Sequence, residues 1–497
     1  MSFRNRRHVL IVSLFATFAT ARVATVPVGQ AHAAVLNLQH DIDAILARPA
    51  LERTFWGIFV RSLEANDTLY ALNAGKLMMP ASNLKIVTLA VAAERLGWAY
   101  TFETRLVGTG PITEGSLEGD LVVVGFGDPS VGLEGTGSDP FDVWAERLKA
   151  SGVLAIHGRI VGDDNTFDEE TLGPGWAWDY LGDGYAAGSG ALQLNENVVF
   201  VTVGPGQAVG TPAIVTISTD YSGLEIRNDL KTASAGTLTA ITTRRLPGSA
   251  RLELRGTVAL GSARSVHRVS VDNPTQFFVN ALRASLIAHG IEVEGPPIDI
   301  DDLPNPPSRQ AGSLLATYRS PPLSTLAVRM MKASQNLYAE TLLKTMGAEI
   351  GMPSVSGGRE AVRSTLEAWS IMPAGLIMID GSGLSRYNLV TPESLVALLT
   401  RIDRTETLRG PFEDALPVAG RDGTLEGRMK NTAAENNARA KTGAIANARS
   451  LSGYVRTTSG EPLVFSILAN NFETTTDVID RATDAIVVRL ATFKRQN

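Results

Sequence analysis

The stretch Met79-Pro80-Ala81-Ser82-Asn83-Leu84-Lys85 runs into Ile86-Val87-Thr88-Leu89-Ala90-Val91, a helical pattern that ends at Gly97. Proline suits the start of a helix and glycine its end, so a helix is predicted from Pro80 to Leu96. Ser82 and Lys85 then lie three positions apart on one face, within reach of each other. Ser82 falls in the first turn, where backbone N–H groups lack intrahelical partners. There the helix dipole disfavours a protonated lysine, and the Ser82 N–H can help to hold an oxyanion. A serine hydroxyl is a weak nucleophile until some group takes its proton, and a lysine of lowered pKa can do so. Alone, S-x-x-K is a weak signal, since about one is expected by chance in a chain of this length.

Two later segments strengthen it. Ser334-Gln335-Asn336 precedes the helical run Leu337-Tyr338-Ala339-Glu340-Thr341-Leu342-Leu343. The plain reading is a helix cap; the chemical one is a hydroxyl that relays a proton and an amide that binds substrate. Lys441-Thr442-Gly443 leads into Ala444-Ile445, just before the strand pattern Leu451 to Val455. Either it is an ordinary exposed strand, or its lysine and threonine hold a carboxylate at a strand edge. In the second case Gly443 permits close approach, and the Ala444 N–H supplies a second oxyanion donor.

The order S-x-x-K, S-x-N, K-T-G resembles the penicilloyl-serine transferases, that is, D-alanyl-D-alanine peptidases and serine β-lactamases. About 250 residues separate Lys85 from Ser334, far more than a β-lactamase needs. This spacing is similar to the low-molecular-mass class C penicillin-binding proteins of the S13 peptidase type. So are the stretches 175–178, Asn195-Glu196-Asn197, 320–323, 336–340, 380–389 and 416–425. The resemblance covers residues 40 to 480. It implies a mixed α/β fold: a transpeptidase-like domain with an antiparallel sheet flanked by helices, carrying nested β-rich insertion domains. It further implies Ser82 as the acylated nucleophile, Lys85 as its base, Ser334 and Asn336 as the second motif, and Lys441, Thr442 and Gly443 as the carboxylate-binding strand. An acid in the segment around Trp176 and Trp178 would meet the amino end of the substrate; Asp179 is the candidate and Asp183 its rival. The two tryptophans themselves are expected to be buried. The loop Asp380 to Arg386 either packs beside the cleft or is purely structural.

The implied substrates are peptidoglycan stem peptides, the implied inhibitors β-lactam antibiotics bound covalently, and no cofactor or metal is needed. Trimming a terminal D-alanine and cutting a cross-link both use this chemistry. A β-lactamase or esterase with the same apparatus, or a non-catalytic peptidoglycan-binding protein, would carry the same fold.

Bulk properties agree. Residues 1–33 hold Arg4, Arg6, Arg7 and Arg22, an apolar run from Val9 to Ala19, and Ala31-His32-Ala33, the pattern of a cleaved export signal and so of a periplasmic protein. Losing those four arginines takes the net charge from −6 to −10, which disfavours nucleic acid as a partner. No later run is long and apolar enough to span a bilayer. There is no cysteine, so disulfides, thiolate nucleophiles and cysteine-zinc sites are excluded. His40, His157, His267 and His289 are scattered, without a metal-binding spacing. Texture divides the chain into 34–104 and 271–497, which mix helix and strand, and a strand-and-turn insertion at 105–270.

Overall fold

The computed structural model describes residues 28–133, 139–307, 312–371 and 373–495. Its organising element is a five-stranded antiparallel sheet built from both ends of the chain. The strands are β1 (Phe55–Ser62), β2 (Thr68–Leu72), β3 (Arg439–Ile445), β4 (Ala448–Arg456) and β5 (Pro462–Asn470). Their spatial order is β2-β1-β5-β4-β3, which leaves β3, the strand of Lys441-Thr442-Gly443, on the edge. Alternation along β5 feeds two cores, as the period of a strand demands. Leu463, Phe465, Ile467 and Ala469 pack with the terminal helices α1 (Val28–Leu46) and α5 (Thr476–Ala491). Val464 and Leu468 face the helical layer that holds α2 (Leu84–Leu96), α3 (Leu323–Lys332) and α4 (Asn336–Glu349).

Every residue of α2 from Leu84 to Ala93 is buried, the mark of a helix at the centre of a core. The predicted helix is present, but its first turn, Ala81–Asn83, is a tighter 3₁₀ turn with Pro80 just before it. Gly97, at φ +78°, ends it as expected.

Between these segments lies a second body of structure. A five-stranded mixed sheet orders Pro297–Asp299, Ile160–Asp163, Leu121–Gly125, Glu103–Gly108 and Ser313–Arg319. Two three-stranded sheets accompany it, one around Val198–Gly204 and one around Arg251–Ala259. The expected boundary at residue 270 does not coincide with these pairings. Ser313–Arg319 pairs with Glu103–Gly108, and the helix Pro274–Ala288 packs its Phe278 against Phe141 with ring centroids 5.3 Å apart. The cause is apolar: Phe277, Phe278, Leu282 and Leu286 are buried against the middle sheets, so this helix shares their core.

The proposed export segment, residues 1–33, lies almost wholly outside the described residues. Among the described residues, no helix is long and apolar enough to cross a membrane.

Candidate active site

The turn that carries Ser82 is clamped from several sides. Ala81 adopts φ +46°, a left-handed conformation that costs a non-glycine residue about 1–2 kcal/mol. The surroundings enforce it. The Ser450 hydroxyl donates to the Pro80 carbonyl (2.6 Å), and Asn470 brackets Met79, accepting from its N–H (2.8 Å) and donating to its carbonyl (3.1 Å). With its amide oriented to satisfy both sides, Asn83 donates to the Lys441 carbonyl (2.7 Å), tying the nucleophile turn to β3.

Lys85 is fully buried, and its Nζ meets three acceptors: Ser82 Oγ (2.9 Å), Asn336 Oδ1 (2.6 Å) and the Ser382 carbonyl (3.0 Å). Burial pushes its pKa down to about 7, against the opposing pull of the nearby carboxyls Glu340 and Asp380. In the neutral amine, Asn336 and Ser382 occupy the two N–H bonds, and the lone pair is left for the Ser82 proton. Glu340 is itself buried and raised to about 7 by desolvation, with the Asp380 charge adding to it, although it accepts from the Gly381 (2.9 Å) and Ser382 (2.8 Å) N–H groups. The loop 380–386 is therefore part of the lysine's surroundings rather than a remote glycine-rich turn.

Ser334 and Asn336 do not cap α4. Gln335 occupies the cap position and makes no capping bond. Ser334, left-handed at φ +56°, accepts instead from Lys441 Nζ (2.9 Å), and Asn336 Nδ2 donates to the Tyr185 carbonyl (2.7 Å). Lys441 is buried, and burial together with the like charge of Lys85 holds its pKa well below the usual lysine range. Thr442 donates to Thr424 Oγ1 (2.7 Å), a partner from the stretch 416–425.

Gly443 has no room for a side chain. A Cβ there would lie 2.1 Å from Ser450 Oγ, 2.7 Å from the Pro80 carbonyl and 2.9 Å from the Ser82 nitrogen. Gly443→Ala should thus push the strand off the nucleophile turn and slow acylation by about 10²-fold, since a displacement of about 1 Å is enough for such a loss. Labelling kinetics with a fluorescent penicillin measure this; a rate within twofold of the parent would contradict the packing argument.

A cavity of about 720 Å³ opens over these groups, lined by Ser82, Ser334, Asn336, Thr442, Ala444 and, from the middle region, Tyr180 and Tyr185. Asp179 is exposed on the turn Trp178–Tyr180, and its charge acts on Tyr185. Asp183 accepts from Thr243 Oγ1 (2.8 Å), and burial together with the Asp183 charge pushes the Tyr185 hydroxyl pKa up. The expected burial of both tryptophans is not met. Trp178 is 56% exposed beneath the Arg244 guanidinium, and half-buried Trp176 donates to Asp380 Oδ2 (3.0 Å), because this segment is a loop laid over the cleft mouth. Sequence reasoning missed the Tyr185 and Ser382 carbonyls and the buried Glu340. Backbone acceptors leave no signal in a residue string, and Glu340, although in the family-like stretch 336–340, sits in a helical run that does not mark it as buried.

A serine hydrogen-bonded to a buried lysine, with a second serine–lysine pair across the same cleft on a sheet edge, is the arrangement of a penicilloyl-serine transferase class of active site. Comparison with known proteins narrows the class. The D-Ala-D-Ala carboxypeptidase 3 (S13) family model matches residues 38–493, and the chain belongs to that family. It is 34% identical to a D-alanyl-D-alanine carboxypeptidase of an Actinomadura species over 93% of this chain and 86% of the relative. It is 28% identical to the D-alanyl-D-alanine carboxypeptidase DacB of Haemophilus influenzae over 84% of this chain and 86% of the relative. The crystal structure of penicillin binding protein 4 from Haemophilus influenzae superposes with a TM-score of 0.81 at 25% identity, covering 91% of this chain and all of that one.

Proposed function

We propose that this protein is a penicillin-sensitive serine D-alanyl-D-alanine carboxypeptidase that acts on peptidoglycan stem peptides through an acyl-enzyme on Ser82. The observation that carries the reading is the Ser82–Lys85–Asn336 bond chain meeting Lys441–Ser334 in one cavity. The terminal carboxylate of the substrate pairs with Lys441 and Thr442, and its arrival offsets the burial that depresses the Lys441 pKa. Lys85 takes the Ser82 proton as Oγ attacks the penultimate carbonyl carbon. The N–H groups of Ser82 and Ala444 hold the tetrahedral oxyanion, each worth about 10²–10³ in rate. As the C–N bond breaks, a proton passes from Lys441 through Ser334 to the departing amine of D-alanine. Once Lys85 has returned its first proton to solvent and Lys441 has regained one, Lys85 deprotonates a water that attacks the acyl carbon. The ester C–O bond breaks, and that proton passes to Ser82 Oγ, which restores the serine. Asp179 is the acid we assign to the amino end of the stem peptide. We also propose that residues 103–319 form an insertion in the catalytic domain, and that residues 1–33 export the protein to the periplasm.

Incubation with purified sacculi, followed by mass analysis of the soluble products, tests this reading. Free D-alanine released in a penicillin-blocked manner is expected; no product, with or without penicillin, would refute it.

The proton inventory adds a second test. With Lys85 near 7, the neutral base grows tenfold per pH unit below that value and saturates above it. The second-order rate of acylation should therefore rise with unit slope to about pH 7 and then level. An acid limb with a midpoint near 10 would mean that the lysine is not perturbed.

A further inference from the structure

The middle of the chain contributes more than a wall to the cleft. Asn195, Glu196 and Asn197 form three successive left-handed residues, at φ +49°, +57° and +56°. Asparagine tolerates this conformation through local side-chain bonds, and both use them: Asn195 Nδ2 donates to the Val198 carbonyl (2.9 Å), and Asn197 Oδ1 accepts from the Leu194 N–H (3.1 Å). Glutamate gains nothing of that kind. Its side chain is 2% exposed, one oxygen accepting from Arg329 Nε and the other from Arg268 Nη2 and Gln335 Nε2. Arg329 lies on α3, and Gln335 is the residue between Ser334 and Asn336. Two unfavourable backbones, at Glu196 and Ser334, thus stand on either side of one carboxylate-to-amide bond.

Holding the two parts of the molecule together does not require this contact. Buried Lys344 reaches the carbonyls of Glu170 (2.7 Å) and Asp168 (3.4 Å), and Gln193 bonds Thr341 Oγ1 (3.0 Å); none of these touches residues 334–336. What Glu196 adds is a fixed direction for the 334–336 segment, while the Tyr185 carbonyl fixes Asn336 from the same side.

We propose that Glu196 is a positioning residue for the reaction, orienting the Ser334 hydroxyl through Gln335. The inference rests on the reading of Ser334 as the proton relay. A left-handed Ser334 has easier alternatives, and an error of about 1 Å in its hydroxyl is enough to slow the chemistry.

The test is a mutant cycle on the full chain, with the second-order rate of acylation by benzylpenicillin as readout. Glu196→Gln and Gln335→Met are each expected to lower the rate by roughly 10- to 50-fold. Gln335→Met leaves both arginine pairs intact, so it remains informative should Glu196→Gln fail to fold. In a Ser334→Ala background, either change should cost no more than about twofold further, because the hydroxyl it orients is gone. Parental rates in both single variants, or losses that multiply with that of Ser334→Ala, overturn the proposal. If Ser334→Ala itself acylates at the parental rate, the relay reading falls, and the proposal falls with it. A purely structural tie would lower the melting temperature without this non-additivity.

Discussion

Ser82→Ala should abolish covalent labelling by penicillin and lower the release of D-alanine by at least about 10⁴-fold. The magnitude follows from what remains. The cavity, the lysines and the oxyanion donors would survive, because alanine fits wherever serine does. Binding and electrostatic stabilisation alone can support a residual rate only about 10³–10⁴ above that in water. No neighbour can replace the hydroxyl, since Ser334 is held by Lys441 at 2.9 Å rather than by Lys85. Mass analysis after long incubation checks this directly. An adduct that persists in the variant would place the nucleophile on another residue.

The second large effect is expected at Lys85. Lys85→Met keeps the volume and removes the base, so acylation should fall by about 10³-fold, within the range known for a lost general base. The substitution also leaves Asn336 Oδ1 and the Ser382 carbonyl without their donor, at 2.6 and 3.0 Å. Lys85→Arg separates charge from basicity: a guanidinium cannot be deprotonated here, so it should do no better than methionine. If arginine restored the parental rate, lysine would be acting as a cation rather than as a base. Stopped-flow acylation with a chromogenic β-lactam distinguishes the two.

Much of the site was legible because its chemistry requires particular residue types at fixed short spacings. Ser82 and Lys85 touch because i and i+3 share a helix face, and the structure brings Ser334 and Lys441 into contact across 107 positions of chain. The helix over residues 84–96 and the strands at 448–456 and 462–470 were equally plain, since long apolar runs have one outcome in a core. The helix Val355–Ala368 was not legible. Its Gly357-Gly358 pair reads as a breaker, yet a Cβ at Gly358 would meet the Leu343 carbonyl at 2.0 Å. Gly358 lets the helix lie directly on α4, and Gly357, where a Cβ would lie 2.0 Å from the Met352 carbonyl, gives room to the turn before it, reasons visible only once these parts are packed. The role of residues 271–319 was hidden in the same way. A strand shows its alternation but not its partner, and Ser313–Arg319 finds Glu103–Gly108 some 200 residues back. Glu196 shows the limit most clearly: the Asn195-Glu196-Asn197 stretch carries part of the family resemblance, yet nothing in it marks the glutamate as buried in a left-handed turn against Arg329.

Three distant segments converge on the Ser82 hydroxyl, and the proposed function makes that oxygen the acyl acceptor. Treating the protein with benzylpenicillin, digesting it with trypsin and mapping the adduct by mass spectrometry tests this most directly. The peptide of residues 77–85 should gain the mass of one intact penicillin, on Ser82. An adduct on any other residue, or an unmodified protein that has hydrolysed the penicillin, would contradict it.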